Sequence, residues 1–245
     1  MNTDSAIFER LFGIKSSQVK KRCVLLPIAT KEMITAFGVG DMKRGKIYAA
    51  GESGAITIIR TGMGPAFVGD AVLYLKESPC EEVVLFGSCG AVSAKNGLDI
   101  GSLASPAKCY ALDSFHATLS ICGGGSRTAP ADTNICYPDK EESVALLKEG
   151  VSEEVCSVTC ATVGSLKLEE EMGEWFAARQ IDVVDMECAA FFTAAHHTGL
   201  KAAALLYVSD ILHKKPYYMP SNSADQKKRA RAIARAADLL HSILS

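Results

Sequence analysis

Glu82-Val83-Val84-Leu85-Phe86-Gly87-Ser88-Cys89-Gly90 is an apolar run that ends in small and polar residues. A run of this kind reads as a buried strand opening into a glycine turn. The same order stands just before it. Ala55 to Arg60 runs into Thr61-Gly62-Met63-Gly64-Pro65, and Val68, Ala71, Val72 and Leu75 follow at helical spacing, with Pro65 where a first turn tolerates it. Strand, glycine loop and helix in succession predict an α/β chain with a central sheet covered by helices.

Working outward, Cys23 to Ala29 reads as the first buried strand, after an arm ending in the solvated cluster Lys20-Lys21-Arg22. Ile47 to Ala50 pairs with Ala55 to Arg60 through the turn Gly51-Glu52-Ser53-Gly54. Leu103 to Tyr137 is rich in turn formers, including Gly123-Gly124-Gly125-Ser126, and is expected to hold further strands and a loop. A helix is expected after Pro138 through Glu149, a strand from Val155 to Thr162, a helix around Glu169 to Arg179 and a strand over Ile181 to Asp185. Another helix starts at Met186, and a last strand from Lys201 to Val208 ends in Ser209-Asp210. The tail from Asn222 carries Ile233, Ala237, Leu240 and Leu244 on one helical face, with Lys227, Lys228, Arg229, Arg231 and Arg235 on its solvated side. No repeat or linker divides the chain, so one domain over residues 1–245 is expected.

Composition narrows the function. The 245 residues carry 26 basic and 28 acidic side chains, a formal charge of -2, with 48% hydrophobic residues. A core is affordable in apolar material, and no electrostatic footprint for nucleic acid exists. Nine cysteines, an odd number without a CxxC pair, read as reduced thiols. With no apolar stretch that resembles a leader or a membrane span, the expected compartment is the cytoplasm.

Three predicted strands deliver polar groups at their carboxyl ends: Ser88, Glu187 and Ser209-Asp210. In open α/β sheets ligands bind outside those ends, so these residues define one candidate pocket. Each also has a purely structural reading. Ser88 could belong to a conformational turn, and Glu187 or Asp210 could cap a helix. Neither glycine loop fits GxGxxG or GxxxxGK[ST], so no nucleotide cofactor is expected. No metal is expected either: His196 and His197 point to different helix faces, and Cys156 and Cys160 read as buried structural thiols. Cys89 could have a lowered pKa in its loop, but no partner histidine is visible.

With these motifs in order, Gly62-Met63-Gly64, Gly87-Ser88-Cys89-Gly90-Ala91-Val92, Val184-Asp185-Met186-Glu187-Cys188-Ala189-Ala190 and Val208-Ser209-Asp210, the chain resembles the nucleoside phosphorylase superfamily. That superfamily comprises purine nucleoside phosphorylases, uridine phosphorylases and methylthioadenosine/S-adenosylhomocysteine nucleosidases. The resemblance covers the chain from about residue 22 to the end. It implies a single domain with a mixed, partly barrel-like sheet flanked by helices, assembled as a homodimer or homohexamer. It also implies cleavage of the bond between a ribose and a base, with no cofactor. Glu187 matches the glutamate that holds ribose hydroxyls, and Met186 the methionine packed on the sugar. Asp210 matches the aspartate that protonates purine N7, which favours a purine base. Ser88 matches the serine that binds phosphate, with Gly64, Gly87 and Ser209 beside these groups.

Inorganic phosphate as co-substrate is left open by departures from the pattern. The two phosphate arginines of the phosphorylases are missing, with Glu32 near one position and Leu85 at the other. Two guanidinium groups are difficult to replace at a dianion site. Nucleosidases carry a glutamate near the position of Glu32 that helps activate water; an ordinary acid in a first helical turn is the other reading. Arg44, Arg60 or Lys31 could instead replace the lost arginines. No histidine precedes His116 to bind a 5′-hydroxyl, and no stacking aromatic stands near Gly164-Ser165-Leu166-Lys167, where Tyr110, Phe115 or Trp175 are substitutes. The acceptor, phosphate or water, stays open. So does a non-catalytic nucleoside-binding or sensing role.

Overall fold

Strands made of Val, Ile, Leu and Ala runs form the centre of the molecule, because such runs can be buried on both faces of a sheet. The computed structural model describes residues 3–93, 97–112, 135–136 and 155–244. Four of these strands are β1 (Arg22–Leu26), β4 (Ile56–Arg60), β5 (Glu82–Ala91) and β10 (Lys201–Ile211). β1 pairs parallel with both β4 and β5, and β10 pairs parallel with β5. Alternate residues of β1 face opposite sides: Cys23 and Leu25 join one apolar cluster, Val24 and Leu26 another.

The remaining strands are β2 (Lys43–Arg44), β3 (Ala49–Ser53), β6 (Leu103–Leu112), β7 (Ile135–Cys136), β8 (Val155–Val163) and β9 (Val183–Asp185). Beyond β1 the sheet continues through the parallel β4, and β3 and β2 follow in antiparallel pairings. On the other side β10, β6, β8, β9 and β5 pair in sequence, and the β10–β5 pairing closes these five into a mixed barrel. β7 adds to β6.

Helices cover both sides. α1 (Thr3–Phe12), α3 (Pro65–Leu75) and α6 (Cys188–Thr198) pack on one face, where Phe8, Phe12, Val68, Val72, Leu75 and Phe191 are buried together. α2 (Lys31–Ala36) and α7 (Ser223–Leu244) cover the other, burying Met33, Phe37, Ile233, Ala237, Leu240 and Leu244 with Phe86 and Tyr207. The short helices α4 (Leu166–Glu169) and α5 (Gly173–Ala178) close one end of the barrel, with Met172 and Phe176 against Val163 and Val184.

The apolar face expected of α7 is the buried one, and the spacing from Val68 to Leu75 marks the buried face of α3. Other expectations need correction. The segment Gly87 to Gly90 is not a turn but the second half of β5, and Ser209-Asp210 lies inside β10. β1 stops at Leu26 rather than Ala29, because Pro27 lacks the N–H a strand donates. The hairpin between β3 and β4 turns at Gly54-Ala55, where Gly54 has φ +57°, not over Gly51 to Gly54. The expected helix from Glu169 to Arg179 is two short pieces, and the N-terminal arm begins as α1. The glycine run 123–126, the helix expected after Pro138, Cys122, Phe115 and His116 lie outside the described residues.

Candidate active site

The site begins with a gap in the sheet. One edge of β5 pairs with β10 throughout, whereas its other edge pairs with β1 over Glu82 to Leu85 and with β9 only at Gly90 and Ala91. Between them Gly87, Ser88 and Cys89 have a strand neighbour on one side only. A cavity opens there, lined by Pro27 and Ile28 after β1, Gly87 to Gly90 of β5, Asp185 to Glu187, and Ser209-Asp210 of β10. The three strand ends singled out in the sequence therefore converge on one cavity, with Met186 among its walls.

Glu187 owes its freedom to Asp185. The backbone N–H groups of Glu187 and Cys188, orphans at the start of α6, donate to Asp185 Oδ2 at 2.9 and 2.6 Å. Asp185 Oδ1 accepts from the Thr162 hydroxyl at 2.6 Å, and Thr162 Oγ1 accepts from the Ala189 N–H at 2.9 Å. Capping is thus done by Asp185 and Thr162, and the Glu187 side chain makes no cap bond. Its Oε1 accepts instead from the Gly64 N–H at 2.6 Å. That contact depends on the loop before α3, where Gly62 and Gly64 have φ of +96° and +105°, conformations L side chains rarely adopt. Burial, followed by the charge of Asp185, pushes the Glu187 carboxyl up to about 8, against the pull of the Gly64 and Met186 backbone bonds.

Asp210 sits opposite Gly90, just past an irregularity in register between Val208 and Asp210. The Ser209 hydroxyl donates to Asp210 Oδ1 at 2.5 Å, and it also lies 3.3 Å from the Cys89 carbonyl oxygen. Burial raises the Asp210 pKa, partly offset by the Ser209 bond and by the Arg229 guanidinium. Arg229, on the face of α7 expected to be solvated, donates to the Ser209 carbonyl at 2.9 Å and to Ser221. Gly90 leaves the room Asp210 needs: a Cβ there would lie 3.0 Å from Asp210 Oδ2 and 2.9 Å from Leu212 Cδ1.

Two cavity residues escape the sequence pattern. Glu169, at the end of α4, is 8% exposed, and its carboxyl is pushed up to about 8 by burial, then by Asp210 and Glu170. Tyr217 brings the cavity an aromatic ring from the segment after β10. The expected stacking candidates lie elsewhere: Tyr110 and Trp175 pack edge-on against each other at 5.7 Å. A glutamate in a run of three, Glu169 to Glu171, carries no local signal that one of them turns inward.

Glu32, Arg44 and Arg60 are not among the residues lining the cavity. Glu32 is exposed in the first turn of α2, where its own backbone N–H and the Thr30 hydroxyl hold its carboxyl below the usual range. Arg44 is exposed on β2, and Arg60 ends β4 partly exposed. The lowered pKa that Cys89 could have had in a glycine loop is not found. Inside a strand it is fully buried, and burial, with Asp185 and Asp210 nearby, pushes its thiol up. Cys156, read as buried, is exposed. Among the described residues no helix is long and apolar enough to cross a membrane.

A closed five-stranded mixed barrel whose sheet extends through β1, β4, β3 and β2 is the fold of the solved phosphorylase structures. The family model described as the phosphorylase superfamily matches residues 18–245, and the chain belongs to that superfamily. Uridine phosphorylase from Vibrio fischeri ES114 is similar over 94% of each chain, with 21% identity and a TM-score of 0.70. Futalosine hydrolase of Helicobacter pylori strain 26695 shares 19% identity, covering 92% of this chain and 97% of that one, with a TM-score of 0.67. The 5′-methylthioadenosine/S-adenosyl homocysteine nucleosidase of Campylobacter jejuni shares 14%, covering 91% and 98%, with a TM-score of 0.66. At these identities the likeness is one of fold. A comparison with curated proteins gives no match.

Proposed function

We propose that this protein hydrolyses the N-glycosidic bond of a purine nucleoside. Asp210 is the acid. As the C1′–N9 electron pair withdraws into the base, its proton passes to N7, and the base leaves neutral. A carboxyl needs a raised pKa to hold that proton near neutral pH, and burial of Asp210 acts in that direction. Glu187 receives the ribose hydroxyls and sets its carboxyl oxygens beside the sugar as it becomes oxocarbenium-like, with Met186 packed on the ring. Tyr217 offers a face to the base.

The choice of water over phosphate rests on one observation. Among the described residues that line the cavity there is no arginine or lysine. Phosphorolysis needs guanidinium or ammonium donors to hold a phosphate dianion. Ser88, the matched phosphate serine, is there, but one hydroxyl does not replace those donors. Water then captures the sugar and its released proton restores the Asp210 carboxyl, giving ribose and free base. The superfamily resemblance carries assembly as a homodimer or homohexamer into the same proposal, which light scattering reads.

The test is a panel of purine, pyrimidine and 5′-modified nucleosides, with and without phosphate, followed for free base and for the sugar product. Equal release of purine base with and without phosphate, with ribose rather than its 1-phosphate, is expected. Release that requires phosphate overturns the choice of acceptor, and no release from any member overturns the enzymatic reading.

A further inference from the structure

Directly beneath the site, three thiols and one carboxylate from four different elements meet. Cys109 of β6 and Cys160 of β8 stand opposite each other across a parallel pairing. Cys188 opens α6 and Asp185 ends β9. The three cysteines are fully buried and Asp185 is 5% exposed. The sulfur atoms of Cys109 and Cys160 and a carboxylate oxygen of Asp185 all lie within 4.8 Å of one another. Cys160 Sγ is 3.4 Å from Asp185 Oδ1, and the Cys188 thiol interacts with those of both Cys109 and Cys160.

The three groups Cys109, Cys160 and Asp185 stand close enough to occupy three corners of a tetrahedral thiolate site, with the Cys188 thiol beside the two sulfurs. With Zn–S near 2.3 Å and Zn–O near 2.0–2.2 Å, the edges of the tetrahedron are about 3.5–3.8 Å. The Cys160–Asp185 edge already has that length. A set of supporting bonds is in place too. Asp185 Oδ2 is held by the N–H groups of Glu187 and Cys188, and Oδ1 by Thr162, so the carboxylate is oriented before any ion is considered.

Packing alone does not account for the group. Small apolar residues would fill the same volume without setting three ionisable sulfurs around a carboxylate in the core.

We propose that Cys109, Cys160, Cys188 and Asp185 form a structural Zn2+ site that ties β6, β8 and β9 to the start of α6 and so fixes the backbone that carries Glu187. The ion enters as the chain folds, displacing three thiol protons to solvent, with no change in oxidation state. Asp185 also lines the cavity, but the test reads bound metal and does not depend on turnover.

The experiment takes untagged full-length protein, purified without added metal or chelator, and measures bound zinc by mass spectrometry of the elements. About one equivalent per chain is expected for a closed structural site. Refolding in the presence of Co2+ should give thiolate-to-cobalt charge transfer and the visible bands of tetrahedral coordination. Cys109→Ser and Cys160→Ser should each lower bound metal by about tenfold or more, while Cys156→Ser, at an exposed cysteine outside the cluster, leaves it unchanged. If the cluster variants do not fold, zinc content and the cobalt spectrum of the unaltered protein decide. Absence of both metal and cobalt bands overturns the proposal. So does a mass lower by two hydrogens, which marks a disulfide, or metal that persists in folded Cys109→Ser and Cys160→Ser.

Discussion

Asp185 and Glu187 stand two residues apart on one turn, and hydrogen bonding gives them different work. Asp185 spends its oxygens on two backbone N–H groups, the Thr162 hydroxyl and the Cys160 thiol. Glu187 holds the Gly64 N–H and presents the rest of its carboxyl to the cavity. The sequence alone cannot divide these roles, because either acid could cap α6. At this scale Asp210→Asn should lower kcat by about 10²–10⁴ with KM changed only a few-fold, as expected for loss of a general acid. Steady-state kinetics on the released base reads it. Stability carries a second signature. The carboxyls of Glu169 and Glu187 rise from 4.5 to about 8 on folding. Between those values the native protein holds protons that the unfolded chain has released. Their contribution is therefore complete below about pH 4.5 and is lost as the pH climbs through about 8, by up to roughly 1.4 kcal/mol per pH unit for each group. Glu169→Gln should flatten the fall in Tm between about pH 5.5 and 8.5, a calorimetric measurement. An unchanged slope would show that Glu169 does not hold its proton on folding.

Elements add what single residues cannot. β5 is one continuous strand whose neighbours change from β1 to β9 partway along, and the site occupies the interval between them. Gly87-Ser88-Cys89-Gly90 reads locally as a turn because two glycines and a serine favour turns. Pairing to β10 keeps it extended, and Gly90 is small because Asp210, Leu212 and Val184 crowd it. Gly90→Ala would place a methyl group 2.9 Å from Leu212 Cδ1 and 3.0 Å from Asp210 Oδ2. It should cost about 1–3 kcal/mol and lower turnover through displaced Asp210. Urea denaturation alongside kcat reads both, and full activity in a stable Gly90→Ala protein would rule out the crowding. The caps act at the same scale: Asp185→Ala leaves two N–H groups of α6 without partners and should cost about 0.5–2 kcal/mol, visible in the denaturation midpoint.

Across the whole molecule the first strand and the last helix are tied together on the sheet. Arg22, at the start of β1, donates to Glu82 of β5 at 3.0 Å and to the Leu244 carbonyl at the end of α7 at 3.0 Å. α7 in turn buries Ile233, Ala237, Leu240 and Leu244 over the open part of the sheet and sends Arg229 to the Ser209 carbonyl. Leu240→Ala should therefore cost about 2–5 kcal/mol in urea denaturation. Its kcat should stay within about twofold under conditions where the protein is folded, since the altered side chain lies in the core and not in the cavity. A denaturation midpoint that does not move would show that α7 is not part of the cooperative fold.

By itself the sequence determined the α/β class, the buried faces of α3 and α7, the superfamily, and the convergence of Ser88, Glu187, Ser209 and Asp210 on one site. Those depend on apolar periodicity and on polar residues at strand ends, which are patterns within a few residues. Only the tertiary structure decided that Glu169 and Tyr217 join the cavity, and that Glu32, Arg44 and Arg60 do not line it. The same is true of Asp185 as the cap of α6, and of Cys109 and Cys160, far apart in the chain, meeting at one carboxylate. Membership in a cavity or a cluster is set by long-range strand pairing and barrel closure, and residues 51 positions apart such as Cys109 and Cys160 carry no local mark that they will face each other.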